Sequence, residues 1–338
     1  MAKWIQLLVS AAILGTATAA TGNCTSPEVR KSWHDIPNSQ KTAYIKAQQC
    51  ILSSPAKEGK IPWAKTRWDE FAGLHQLLAL QIHSTGNFLP YHRYFLNIHK
   101  HLLNECGYND SLPYWDETRD AGSFSKSPLF DKTYGFGGSG TGSQNCVPDG
   151  PYVNLPVNIG PGFKNQPRCI NRKITDFLST QCGASYVKSA VAPNNYNDAA
   201  KAIYMGPHLL GHEALAMMNG DSITSAGDPL FMMHHGFVDK MWFDWQKVNK
   251  SRLTEIGGLN AQDPARGFWE FSGTQESQSS MWGKPNAAQL ALTPDPQLGD
   301  GGPNMTLNHS LSSLGIIPNA TVADIMDTQG GYLCYVYA

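Results

Sequence analysis

Charge is scarce in this sequence. Only 16% of its 338 residues are Asp, Glu, Lys or Arg, and they sum to −1. That balance argues against a nucleic-acid binder or a polybasic membrane-surface protein, since both work through a positive field. Long apolar runs are missing too. WIQLLVSAAILG at the N-terminus falls short of the roughly 20 residues that a spanning helix needs, and no later segment approaches that length. The seven cysteines include no C-x-x-C pair, which argues against a zinc ribbon. There is no internal repeat and no separate linker. Also absent is the zinc-protease signature H-E-x-x-H. In GPHLLGHEAL (206–215), His208 and His212 stand four apart, but Leu209 occupies the general-base position and Glu213 follows the second histidine.

What is present points to a secreted, packed enzyme. Hydrophobic residues make up 41%, ample for a large core, and 32 glycines with 21 prolines imply much ordered loop. Nine tryptophans and thirteen tyrosines suit a globular enzyme better than a disordered adaptor. Lys3, the apolar run and Ala17-Thr18-Ala19 together read as a cleavable signal over residues 1–20, leaving residues 21–338 as a single domain. Disulfides are then the default for cysteine, with one thiol left over from an odd count. Cys24 lies at the mature N-terminus and Cys334 in the terminal segment, so this pair is expected to tie the chain ends. Cys50 and Cys106 each close a helix and form a second expected pair. Six N-x-S/T sequons (Asn23, Asn109, Asn249, Asn304, Asn308 and Asn319) agree with the secretory route.

Periodicity predicts helices over 27–53, 67–83, 88–106 and about 197–217. Asp228-Pro229 supplies an N-cap and first-turn proline for a fifth, LFMMHHGFVDKMWFDWQKV. Pro90 sits in the opening turn of the third. Between Gly107 and Asn195 the composition turns to Gly, Pro, Ser and Asn, which predicts long functional or cross-linked loops. GYLCYVYA at the end reads as a short strand.

Seven of the eleven histidines fall on these helices in two groups. His75 and His83, eight apart, lie about 80° round one helix, and His92 opens the next. The second group is His208, His212 and one of the pair His234-His235. Neither group offers a cysteine or carboxylate ligand at matching spacing. All-imidazole sites suit copper, zinc or iron, and three-histidine sets on paired helices describe a dimetal centre in a bundle. His34, His99, His101 and His309 read as surface or satisfied core residues.

These residues resemble the tyrosinase, catechol oxidase and haemocyanin family. HSTGNFLPYHRYFL is similar to the family's first copper signature, and DPLFMMHHGFVD matches its second, D-P-x-F-x3-H-x3-D. LPYWDE (112–117) resembles the PYWD segment, and Tyr335-Val336-Tyr337 the closing Y-x-Y. The resemblance implies two copper ions. One would be held by His75, His83 and His92, and the other by His208, His212 and His235, the later member of the doublet. It also implies a mainly α fold: an antiparallel four-helix bundle housing the dicopper site, with long disulfide-linked loops, a few short strands and no lid domain after the Y-x-Y.

The activity implied is oxidation of o-diphenols or o-aminophenols to o-quinones by O2, on a small phenolic substrate and without nucleic acid or membrane. The alternative is monophenol hydroxylation on a pigment or secondary-metabolite precursor. Hydroxylating members often carry asparagine after the first CuB histidine and a glutamate upstream, which together orient a water. Here those places hold Leu209 and Ala199, which favours diphenol oxidation, with Asp198 nearby as a possible substitute. Gln81 replaces the thioether-forming cysteine of many relatives, so no crosslink is expected. Lys100 replaces a glutamate of the first signature. Phe88 is expected to pack near the metals, and Asp239 either to orient a ligand or to hold the bundle through a cation. A haemocyanin-like carrier would block substrate with a buried side chain, and a dizinc hydrolase would need carboxylate ligands and a base.

Overall fold

The computed structural model describes residues 24–262 and 283–338, so the expected signal at 1–20 lies outside the described residues. Helix α1 spans Asn38–Ser53, α2 Arg67–Ile82 and α3 Phe88–Glu105. The start of α2 is written in its sequence. Thr66 accepts from the Asp69 N–H while Asp69 reaches back, a capping box, and Asp69 and Glu70 sit in the first turn where the helix dipole favours negative charge. Nearly every side chain of α2 is buried, so it is the central helix of the core. It ends one residue earlier than expected, leaving His83 in extended backbone just beyond it. Ser84, with φ 51°, turns the chain back into α3. Pro90 lies in the first turn of α3, where its missing N–H has no helical partner to lose.

The helix expected over 27–53 begins only at Asn38. Glu28–Arg30 instead form strand β1, which pairs in parallel with the terminal strand Tyr335–Tyr337. A three-residue strand carries no readable periodicity, and its partner lies at the other end of the chain. The Cys24–Cys334 disulfide reinforces this pairing, and Cys50–Cys106 ties the end of α1 to the end of α3. A third bridge, Cys146–Cys169, cross-links the long loop region, and Cys182 is the remaining buried thiol.

Two short helices, α4 Asp176–Ser179 and α5 Ala184–Ala190, follow that region. The expected 197–217 helix is broken into α6 Tyr196–Ile203, a wide π-type turn Tyr204–His208, and α7 Leu209–Leu215. The cause is Gly206-Pro207. Proline cannot donate to the helical ladder and its ring crowds the carbonyl four residues back, and Gly206 takes φ −95°, ψ −114°.

Helix α8, Phe231–Lys247, starts after Asp228-Pro229 rather than on it. Asp228 accepts from the Leu230 N–H but is otherwise committed to a bidentate ion pair with the buried Arg172 and to a bond from Asn219 Nδ2. The fold is therefore mainly α. Helix α3 packs on α1, α2 and α8, and α6 and the π turn pack on α8. The segment expected as one helix over about 197–217 thus packs on α8 as an interrupted one.

One polar knot fastens the arrangement. Asp239 on α8 accepts from Arg93 Nε on α3 (2.6 Å), Arg30 Nη1 on β1 (3.3 Å) and the hydroxyls of Tyr335 and Tyr337 (2.6 Å each). Arg93 also donates to Gln246 and to the carbonyls of Ile325 and Met326, and stacks over Trp242. The Y-x-Y strand thereby locks α3 against α8. Asp239 thus joins α8 to α3 and β1 through two guanidinium groups.

Candidate metal centre

Two clusters of buried imidazoles face each other across the core. His75, His83 and His92 form one, and His208, His212, His234 and His235 the other, with ligand-capable atoms in each cluster within 4.8 Å of one another. The clusters adjoin. His92 stacks on His235 at 4.3 Å, and Phe231, the first residue of α8, stacks on His235 at 3.9 Å while touching the rings of His75 and His212. Phe88 sits between the clusters, its ring 5.0 Å from His92 and 4.6 Å from His208.

Hydrogen bonds settle which nitrogen of several rings carries the proton. Nδ1 of His75 faces the Ile223 carbonyl (3.0 Å), His83 that of Ala79 (3.0 Å), His92 that of Phe88 (2.7 Å) and His208 that of Tyr204 (3.2 Å). A carbonyl only accepts, so each Nδ1 must carry the proton and each Nε2 presents a lone pair, the arrangement metal-ligating histidines adopt. Nε2 of His75, His92 and His208 has no protein partner. The Nε2 atoms of His212 and His235 lie 3.2 Å apart, two ring nitrogens converging on one point.

Burial suppresses protonation. It pulls His75 down to about 4 against the opposing pull of the Ile223 carbonyl. Burial first, and neighbouring imidazoles after it, hold His83, His92, His208, His212 and His235 well below the ordinary histidine range. Buried, neutral nitrogens without partners are costly, and a bound cation at each cluster would satisfy them. The donor set suits copper, with no carboxylate among the clustered atoms.

The doublet is differentiated by a residue to which the sequence reading gave no role. Glu117, the last residue of LPYWDE, is fully buried and accepts from Nδ1 of His234 at 2.5 Å. His234 Nε2 is then left unpartnered, with its ring 4.4 Å from His212. Gly211 makes room for this pair, since a Cβ there would come within 2.5 Å of His234 Cε1 and 3.0 Å of the Glu117 Oε2. A glycine between His208 and His212 was the available signal. Behind them lies Cys182, whose thiol is pushed far up by burial and then by the Glu117 charge.

The remaining expected residues fall as follows. Leu209, the first residue of α7, is half-buried, and Ala199 is buried with no polar atom to offer. Asp198 is turned away, accepting from Asn195 Nδ2 at the exposed start of α6. Glu213 is exposed on α7 and shares no bond with the clusters, because it lies off the face that carries His208 and His212. Gln81 donates to the Pro294 carbonyl, and Lys100 clamps the surface by pairing with Glu28. His34, His101 and His309 pair with Asp120, Glu105 and Asp300 respectively, and His99 is packed among Tyr44, Trp68 and Phe71.

A helical core that buries two adjoining all-imidazole clusters defines a dinuclear metalloprotein. Residues 65–248, more than half of the chain, match the common central domain of tyrosinase. The chain belongs to the tyrosinase family, and it is a copper oxidase of the tyrosinase and polyphenol oxidase type carrying a dicopper site.

It is similar to the tyrosinase-like protein phomQ1' of Diaporthe leptostromiformis, 29% identical over 98% of this chain and 88% of that protein. Tyrosinase P of Aspergillus terreus is 27% identical over 93% of each. The N-acetyl-6-hydroxytryptophan oxidase ivoB of Emericella nidulans is 26% identical over 98% of each. Among solved structures, a polyphenol oxidase mutant from Thermothelomyces thermophila shares the fold, with a TM-score of 0.74 at 24% identity over 94% of this chain and 91% of that one.

Proposed function

We propose that this chain is a secreted dicopper oxidase that converts o-diphenols, and o-aminophenols of similar shape, to the quinone level with O2. His75, His83 and His92 hold one copper, and His208, His212 and His235 the other. The copper pair supplies the two-electron exchange between O2 and the phenol. The observation that carries the reading is the set of neutral, buried Nε2 atoms whose tautomers are fixed from behind by backbone carbonyls. Rings held in this way need no change of tautomer when a metal enters.

The protein's share in selectivity is what it withholds. Hydroxylating a monophenol requires removing its phenolic proton as it reaches the metals, and a held water is one route. Leu209 and Ala199 cannot hold one, and Asp198 is tied to Asn195. Glu117 is already engaged by His234. A cavity of about 260 Å³ lies beside the centre, lined in part by Phe88 and Tyr204, both in contact with His208. Three disulfides support an oxidising compartment, consistent with a signal over 1–20 and one catalytic domain over 21–338.

The test is metal analysis with kinetics on matched catechols and monophenols. Two coppers per chain and faster turnover of the catechol, with a lag on the monophenol, are expected. Monophenol hydroxylation without a lag and at the catechol rate would refute the selectivity argument. His235→Ala should deplete the second copper. Full copper there, with loss in His234→Ala, would transfer the ligand role to the carboxylate-backed member of the doublet.

A further inference from the structure

The carbonyls that fix the histidine tautomers are of two kinds. His83, His92 and His208 each turn Nδ1 to the carbonyl four residues back, those of Ala79, Phe88 and Tyr204. His75 differs. Its acceptor is the carbonyl of Ile223, 148 residues along the chain, in the loop between α7 and α8. The loop that joins two helices of the second cluster thus sets a histidine of the first.

Asp221 holds that loop. Its carboxylate is buried, and Oδ1 accepts from the N–H groups of Ile223 (3.0 Å) and Thr224 (3.2 Å). Oδ2 accepts from the Thr224 hydroxyl (2.6 Å) and the Gly162 N–H (2.7 Å). Arg168 braces the same turn by donating to the Thr224 hydroxyl (2.8 Å). The N–H of Thr224 and the C=O of Ile223 are the two ends of one trans peptide plane, so they point in opposite directions. Asp221 therefore grips that plane by one end while the other end faces His75 Nδ1.

We infer that Asp221 is a positioning residue for the first metal: it aims the Ile223 carbonyl so that His75 keeps its proton on Nδ1 and its lone pair on Nε2. The inference rests on the reading of His75 as a copper ligand. Without the carboxylate the peptide plane is free to rotate, His75 loses its acceptor, and the tautomer with the proton on Nε2 becomes populated. That tautomer cannot ligate through Nε2. His83 and His92 keep their acceptors within α2 and α3, so the loss is confined to one ring.

The full chain should be examined by proton–nitrogen correlation spectra of its histidine rings without copper, and by copper titration against a competing chelator. In Asp221→Ala the His75 ring should move from the Nδ1–H toward the Nε2–H pattern, and the first copper should bind about tenfold or more weakly, the usual cost of losing a partner behind a ligating histidine. His83 and His92 should keep the native pattern, and the second copper its affinity. Asp221→Asn retains Oδ1 for both loop N–H groups and should restore most of both readouts. Should Asp221→Ala not fold, Thr224→Val, which removes only the hydroxyl bound to Oδ2, takes its place with the same direction of change. A native His75 pattern in the variant used overturns the inference. So does a change shared by His83 and His92, which is the mark of general loosening. If the unmodified protein takes up no copper at the first cluster, the ligand reading fails, whereas the His75 spectrum still decides the role of Asp221.

Discussion

Asp239→Asn should strongly destabilise this protein. The carboxylate accepts from two buried guanidinium groups and two buried phenols. Asparagine keeps one acceptor oxygen but turns an amide NH2 toward donors, leaving Arg93 and Arg30 without their counter-charge. Removing one partner of a buried ion pair costs about 3–5 kcal/mol. At a few degrees per kcal/mol for a chain of this size, the melting temperature should drop on the order of 10 °C.

The natural control lies one turn along the same helix. Asp244 pairs with Lys240 at 2.6 Å, but at the surface, and Asp244→Asn should cost less than about 1 kcal/mol. Thermal melts of both variants, with and without copper, provide the assay. Asp239→Asn should also bind copper more weakly, because Arg93 adjoins His92 and Asp239 follows His235 by one turn. An Asp239→Asn protein melting as close to the native as Asp244→Asn does would show that the knot does not hold α3 to α8. Burial pushes the Asp239 carboxyl up, but Arg93, Arg30 and the two tyrosines bring it below its ordinary value. Its stabilisation is thus present above the unfolded carboxyl pKa and is lost as pH falls through the folded one.

The copper-free protein should be acid-labile in a defined window. The folded histidine pKa values are depressed, so stability is complete above about 6.5 and falls as pH drops from there toward the folded values, about 4 for His75. Each histidine kept neutral removes about 1.4 kcal/mol per pH unit in that range, and melts at stepped pH should show a slope of several protons that bound copper shifts downward. Gly211→Ala should displace the Glu117–His234 pair and lower copper content at the second cluster while leaving the first filled; full occupancy of both, read by metal analysis, would contradict the contact. Alkylation should find one free thiol, Cys182, reactive only after unfolding, and a non-reducing peptide map should return Cys24–Cys334, Cys50–Cys106 and Cys146–Cys169. Reaction of Cys182 in the native protein would show that its burial is incomplete.

Much of the site was legible because its chemistry is local in the chain. The four-residue step from His208 to His212 keeps its meaning on any helix. His75, His92 and the doublet are marked by the helices that carry them, and Asp239 follows the doublet at a fixed distance. The two end-to-end cysteine pairs could be read from where each cysteine closes an element. Other features depended on residues that meet only after folding. Glu117 and His234 are 117 positions apart, and nothing in LPYWDE distinguishes a carboxylate that will back an imidazole from one that faces water. Asp239 had two open roles until Arg30, Arg93 and the terminal tyrosines converged on it from three elements. The break at Gly206-Pro207 was visible as a dipeptide, but its consequence, Tyr204 laid over His208, was not. Local spacing decides which side chains share a face, because backbone geometry is the same in every helix. Which faces meet, and which charge ends beside which, is decided by packing among segments that contribute no pattern to one another's sequence.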